Sequence, residues 1–175
     1  MAFMKKHPFL QLEYHSTVKL STAEKAKLTK WFAVASEVLE CLWDKKIISV
    51  KKPKALHVSL LICGEAKIKE LNREYRGKDK VTDVLSFPAH EDLRKSKLKT
   101  DELFLGDLAI CHQQTKRQAR EFKIGYFDEF IHLFFHGVIH LMGYDHEISL
   151  KEEKLMEKWE QIALTTFSEI KKGAR

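Results

Sequence analysis

Apolar and polar positions change period several times along this chain, and each change predicts an element. Residues 9–14 carry the pattern of a short strand. Ser21-Thr22-Ala23-Glu24 is a capping box, in which hydroxyl and carboxylate each satisfy a backbone N–H left open at a helix start. The helix that follows presents Leu28, Trp31, Phe32, Ala35, Val38, Leu39 and Leu42 on one face. Residues 56–63 are short and apolar, as a buried strand is, and Gly64 closes the run. Residues 66–75 return to helical spacing, with Ile68, Leu71 and Tyr75 on one side. Residues 81–87 and 103–111 read as two further strands, the first ended by Pro88, which has no N–H to extend a ladder. Between them, residues 91–101 form a charged connection too polar for a core, and the Lys95-Ser96-Lys97-Leu98-Lys99 stretch reads as a mobile loop.

Further on, residues 113–122 suit a polar helix. Residues 127–142 are apolar on most faces, which predicts a central, largely buried helix. A second capping box, Ser149-Leu150-Lys151-Glu152, starts a last amphipathic helix. Its stripe runs Leu155, Trp159, Ile162 and Thr166, with Met156, Ala163, Phe167 and Ile170 beside it. Strands interspersed with helices predict an α+β fold: a small mixed sheet of about four strands covered by about five helices. With no internal repeat or low-complexity break, residues 1–175 read as a single domain, and residues 1–20 as its least patterned segment.

Composition narrows the function classes. A chain of 175 residues is long enough for one domain with a real core. Its net charge of +6 suits a polyanionic partner without singling one out. Cys41, Cys63 and Cys111 show no paired spacing and lie inside apolar runs, which reads as buried thiols in a reducing cytosol. Lys5 and Lys6 precede no apolar signal core, and no stretch is long enough to span a bilayer. The expectation is a cytoplasmic protein with no membrane contact.

The chemistry concentrates in His136-Gly137-Val138-Ile139-His140-Leu141-Met142-Gly143-Tyr144-Asp145-His146. His136 and His140 are one helical turn apart, so on a helix their rings share a face. Gly143 can adopt positive φ, end the helix and swing His146 back towards the first two rings. Three imidazoles with a fourth position open describe a catalytic zinc site rather than a closed structural one. The spacing matches the metzincin pattern H-E-x-x-H-x-x-G-x-x-H, except that Gly137 stands where the protease has its general base. Peptide hydrolysis is therefore disfavoured, and chemistry that needs mainly Lewis-acid activation is favoured. His132 continues the stripe, but two turns place its Cα about 12 Å from that of His140. It reads as a buried, hydrogen-bonded neighbour or as an RNA contact at the edge of the site.

The chain also resembles the YbeY endoribonucleases, the bacterial rRNA maturation factors, whose signature is H-G-x-L-H-L-x-G-Y-D-H. Ile139 stands where that family usually has Leu, and every polar position is intact. The likeness continues through Leu71-Asn72-Arg73-Glu74-Tyr75-Arg76-Gly77-Lys78-Asp79-Lys80, then Thr82-Asp83-Val84-Leu85-Ser86-Phe87-Pro88, then Leu105-Gly106-Asp107-Leu108-Ala109-Ile110. It covers roughly residues 55–160 in the family's order; residues 1–20 match poorly. The resemblance implies a single-strand-specific endoribonuclease that acts in rRNA processing, at the 3′ end of 16S rRNA, and in ribosome quality control. It further implies one Zn2+ per chain on His136, His140 and His146. Implied partners are precursor rRNA, the small ribosomal subunit and an assembly GTPase, with no DNA. Arg76 is the family's cleft arginine, suited to holding a phosphate bidentately and neutralising charge that develops during cleavage. His136, His140, His146 and Arg76 are thus the expected catalytic residues.

Other residues near these motifs keep two readings. Asp145 is either a turn residue or the acceptor that fixes a ligand histidine's tautomer, and the two are compatible. Asp83 either anchors a turn or points into the cleft as a base or water-orienting group, and Ser86 is equally ambiguous. Gly106-Asp107 reads as a turn-like pair at the start of an apolar strand. His7, His15, His57, His90 and His112 have no spacing argument. A non-catalytic assembly factor with structural zinc is the main rival function, and a zinc protease with a base from elsewhere is the weaker one.

Overall fold

The computed structural model describes residues 9–173 and the backbone of the strand at residues 2–3. Lys5, Lys6 and His7 lie outside the described residues. In chain order the elements are β1 (Ala2–Phe3), β2 (Leu10–Ser16), α1 (Thr22–Asp44), β3 (Ala55–Cys63), α2 (Glu65–Arg76), β4 (Val84–Pro88), β5 (Glu102–Cys111), α3 (His112–Glu121), α4 (Tyr126–Leu141) and α5 (Leu150–Gly173). The four strands and five helices read from the sequence are all present, joined by the two-residue β1. Both halves of the first capping box form: Glu24 N–H donates to Ser21 Oγ at 3.2 Å, and Ser21 N–H donates to Glu24 Oε2 at 2.7 Å. At α5, Glu152 N–H donates to Ser149 Oγ, while the Glu152 carboxylate pairs with Arg94 at 2.5 Å.

The sheet runs β1-β2-β3-β5-β4. β2, β3 and β5 are parallel, and β4 and β1 add antiparallel edges. One face meets α1 and α4 in the main core, built on Leu56, Val58, Leu60, Ile62, Leu108 and Ile110 from the sheet, and α5 packs on those two helices. On the other face, Ile68 of α2 packs with Cys63, Leu85, Ala109 and Cys111 in a smaller cluster. In β3, Leu56, Val58, Leu60 and Ile62 are buried in the main core while Ala55, His57, Ser59 and Leu61 alternate with them half-buried, so both faces of the strand are at least partly covered.

Three expectations are corrected. Gly106 is not at a strand start but inside β5, at φ 137°, beside an irregularity in the β3–β5 register. A Cβ there would lie 2.2 Å from the Phe87 carbonyl oxygen, so close approach of β4 demands glycine. The charged connection does enter the core: Leu93 is fully buried and Leu98 packs against the same cluster. Strand β4 also starts later than expected, because Asp83 precedes it and accepts the Val84 N–H at 2.7 Å.

Candidate metal centre

Helix α4 is apolar on most sides because the sheet, α3 and α5 all pack on it, and its last turn brings the histidines to the surface. A ring nitrogen from each of His136, His140 and His146 lies within 4.8 Å of the others. The ring centroids are 4.7 Å apart for His136–His140, 5.4 Å for His136–His146 and 5.1 Å for His140–His146. His146 joins the pair because α4 stops at Leu141 and Gly143 takes φ 101°, the left-handed turn that the spacing predicts.

That turn is braced from behind. A Cβ on Gly143 would meet Asp92 Oδ1 at 2.6 Å, so the connection 91–95 packs directly against it. Arg94 donates to Asp92 Oδ1 at 3.1 Å, bonds Glu152, and lies over the Tyr144 ring at 4.7 Å. Tyr144 is buried, and its hydroxyl donates to the Ile47 carbonyl beyond the end of α1. Residues far apart in the chain thus hold the backbone that carries His146.

The donor set fits a metal. His140 Nδ1 lies 2.8 Å from the Tyr144 carbonyl oxygen, which can only accept, so Nδ1 carries the proton and Nε2 keeps its lone pair. Burial and the neighbouring His136 and His146 push the His140 pKa down to about 4, which keeps the ring neutral as a ligand must be. His136 Nδ1 lies 2.7 Å from Glu160 Oε1, and a carboxylate acceptor there likewise leaves Nε2 free. Burial alone would raise the Glu160 pKa, but the His136 hydrogen bond and the nearby imidazoles outweigh it and hold the carboxylate below its usual range. Glu160 was not found from the sequence. It lies 24 residues beyond His136 on α5, and its one signal is an acid next to Trp159 on the helix's apolar stripe.

The remaining expected residues fall in two groups. Asp145 takes the turn role, its Oδ1 accepting the Glu147 N–H at 2.8 Å. Asp83 is an anchor: Oδ1 accepts from Val84 N–H and Thr82 Oγ1, and Oδ2 accepts from Gln118 Nε2 at 2.8 Å. His132 stands outside the triad, 6.5 Å from His136 between ring centroids, with Nδ1 3.5 Å from the buried Glu129 and Nε2 4.0 Å from Glu160. The Glu129 hydrogen bond raises its pKa against the opposing effect of burial. Ser86 is buried, and its Oγ lies 3.4 Å from the Gly137 carbonyl oxygen.

Gly137 explains the missing protease base in physical terms. A Cβ there would sit 2.7 Å from Leu108 Cδ2 and 3.3 Å from Ser86 Oγ, so this position faces the sheet in tight contact. A glutamate has no room without moving the helix that carries the metal ligands. Arg76, the last residue of α2, is exposed and donates through Nη2 to the Ser86 carbonyl at 3.0 Å. Ser86 therefore links the arginine to the helix segment between the two histidines. Along α5, beside His136's partner Glu160, lies an open groove of about 570 Å³ lined by His132, Lys154, Glu157, Lys158, Glu160, Gln161 and Leu164.

The family model for endoribonuclease YbeY matches residues 17–168. The chain is 38% identical over 151 residues to endoribonuclease YbeY of Thermodesulfovibrio yellowstonii, covering 85% of this chain and 91% of that protein. It is 38% identical to the Aquifex aeolicus protein of the same name, over 72% of this chain and 80% of that one. It is also similar to the solution structure of a Thermotoga maritima protein, with a TM-score of 0.56 and 27% identity across 93% of both chains. The three-histidine cluster, the mixed sheet that supports it and these matches agree: the chain belongs to the endoribonuclease YbeY family.

Proposed function

We propose that this protein is a zinc-dependent endoribonuclease of single-stranded RNA that acts in rRNA processing, including the 3′ end of 16S rRNA, and in ribosome quality control. The observation that carries the reading is the convergence of three imidazole nitrogens within 4.8 Å on a chain of this family. His136, His140 and His146 would hold the ion. Zinc bound there supplies Lewis-acid activation of water or of a phosphoryl oxygen. Glu160 and the Tyr144 carbonyl orient two of the ligand rings through their Nδ1 atoms.

Arg76 is the residue that meets the phosphate. Its Nη2 is engaged by Ser86, which fixes the guanidinium plane, while its other N–H groups remain to pair with a phosphate and offset added negative charge. Precursor rRNA on the small ribosomal subunit is the substrate, with an assembly GTPase as partner, in the cytoplasm. No helix among the described residues is long and apolar enough to cross a membrane. Residues 1–175 act as one endoribonuclease domain.

Chelation followed by zinc return tests the proposal. Cleavage of a single-stranded small-subunit precursor fragment should vanish with chelator and return with zinc, while a fully paired RNA is spared. Cleavage indifferent to chelator would contradict it, as would unfolding without metal combined with no cleavage when metal is bound, which marks a structural zinc.

A further inference from the structure

Tyr75 occupies a position its sequence context does not explain. It continues the apolar stripe of α2 from Ile68 and Leu71, yet Ile68 is fully buried and Tyr75 is 60% exposed. It sits at β4, the edge strand of the sheet, where solvent reaches the ring. It is nevertheless held in place: its ring packs edge-to-face against Phe87, with centroids 5.2 Å apart and planes at 71°. The adjacent Arg76 clamps the Ser86 carbonyl, so two consecutive side chains of α2 grip two consecutive residues of β4. Ser86 in turn touches Gly137, between the two metal-ligating histidines of α4. A large aromatic surface is thus exposed, packed on β4, and adjacent in sequence to the arginine that β4 links to α4.

The charge around it is net positive, although Asp79 pairs with Lys69 and Arg73. Arg73, Arg76, Lys78 and Lys80 cluster at the end of α2, against Glu74 and Asp79. The α5 groove, which includes His136's partner Glu160, sets Lys154 and Lys158 against Glu157 and Glu160, so charge favours the end of α2 for a polyanion. An exposed aromatic beside cationic side chains is the arrangement that binds single-stranded nucleic acid, with bases on the ring and phosphates on the cations.

Building on the proposed ribonuclease reading, we infer that Tyr75 is a stacking platform for one unpaired nucleobase next to the scissile phosphate, while Arg76 holds that phosphate. A base inside a duplex has both faces covered by its neighbours and cannot stack on the ring, so the platform selects unpaired RNA at this position. Neither residue reads the edge of the base, which makes the subsite tolerant of base identity.

The test is the cleavage kinetics of the zinc-loaded, full-length protein on a single-stranded oligoribonucleotide. Tyr75→Leu keeps an apolar cover on Phe87 but has no aromatic face, and Tyr75→Phe keeps the face. The leucine variant should raise KM roughly 10-fold and leave kcat within about twofold, while the phenylalanine variant matches wild type. An abasic site walked along the substrate should cost wild type roughly 10-fold in kcat/KM at one position and cost Tyr75→Leu nothing there. Equal KM values for wild type and Tyr75→Leu would overturn the platform, as would additive penalties at every abasic position. If the wild-type protein cleaves no RNA at all, the ribonuclease reading falls and the platform with it. If wild type and Tyr75→Leu cleave alike, only the platform falls.

Discussion

Residue by residue, the candidate metal site depends on the hydrogen bonds that His136 and His140 make through Nδ1. Glu160→Ala removes the acceptor at His136 Nδ1 and frees that ring to change tautomer and rotate. Zinc affinity, measured by competition with a chromophoric chelator, should fall roughly 10- to 100-fold with little change in the far-ultraviolet spectrum. Unchanged affinity would show that Glu160 only packs. His140 offers a second test on the metal-free protein. Its pKa of about 4 lies below the ordinary 6.5, so the unfolded chain takes up the proton first. The stabilisation from its neutral ring is present above pH 6.5 and is lost as the pH falls towards about 4. His132 has a raised pKa and contributes with the opposite sign, so a bulk stability curve mixes the two. A ring-resolved NMR titration separates them: His140 should remain neutral at pH 5, and a midpoint near 6.5 would contradict the burial argument.

Between elements, the centre is held by contacts that span the chain. Leu93 is fully buried beneath a connection whose neighbours are nearly all charged. Leu93→Ala should cost about 2–4 kcal/mol in denaturant unfolding, whereas truncating a residue of a free loop would cost almost nothing. Gly137→Ala drives a methyl into Leu108 and should cost about 1–3 kcal/mol while pushing α4 away from β5.

These elements also show what the sequence could reveal. The α4 histidines and Gly143 were legible because i, i+4 spacing and a helix-ending glycine are local rules. The first capping box was legible for the same reason. Leu93 was hidden because one apolar residue among charges carries no period. Gly106 was misread as a turn because a bulge demanded by the Phe87 carbonyl depends on how another strand packs. Glu160 and the Arg94–Glu152 pair are tertiary contacts between α4, α5 and the 91–101 connection, and no spacing rule reaches that far. Tyr75 shares one side of its helix with Ile68 and Leu71, and periodicity alone does not tell that this side is buried at Ile68 and exposed at Tyr75.

On the scale of the whole molecule, a net charge of +6 and a basic end of α2 beside the metal centre predict an electrostatic component to RNA capture. Affinity for single-stranded RNA should fall linearly in log–log plots against salt, with a slope of about 0.7 per phosphate neutralised. If the guanidinium holds the reacting phosphate as proposed, Arg76→Ala should reduce that slope by about 0.7 and lower kcat as well. A salt slope unchanged by this substitution would place the phosphate elsewhere. Neutral Arg76 variants that retain full kcat would remove the arginine from the chemistry.

The most direct measurement of the central claim pairs wild type with an identically purified, equally folded His136→Ala variant on a small-subunit rRNA precursor fragment. Basic proteins carry contaminating ribonucleases through purification, so the difference between the two matters more than either trace alone. The account predicts discrete cleavage by the zinc-loaded wild type and none by the variant. Equal cleavage by both, or none by a wild type with metal bound, would contradict it and leave a metal-stabilised assembly factor in its place.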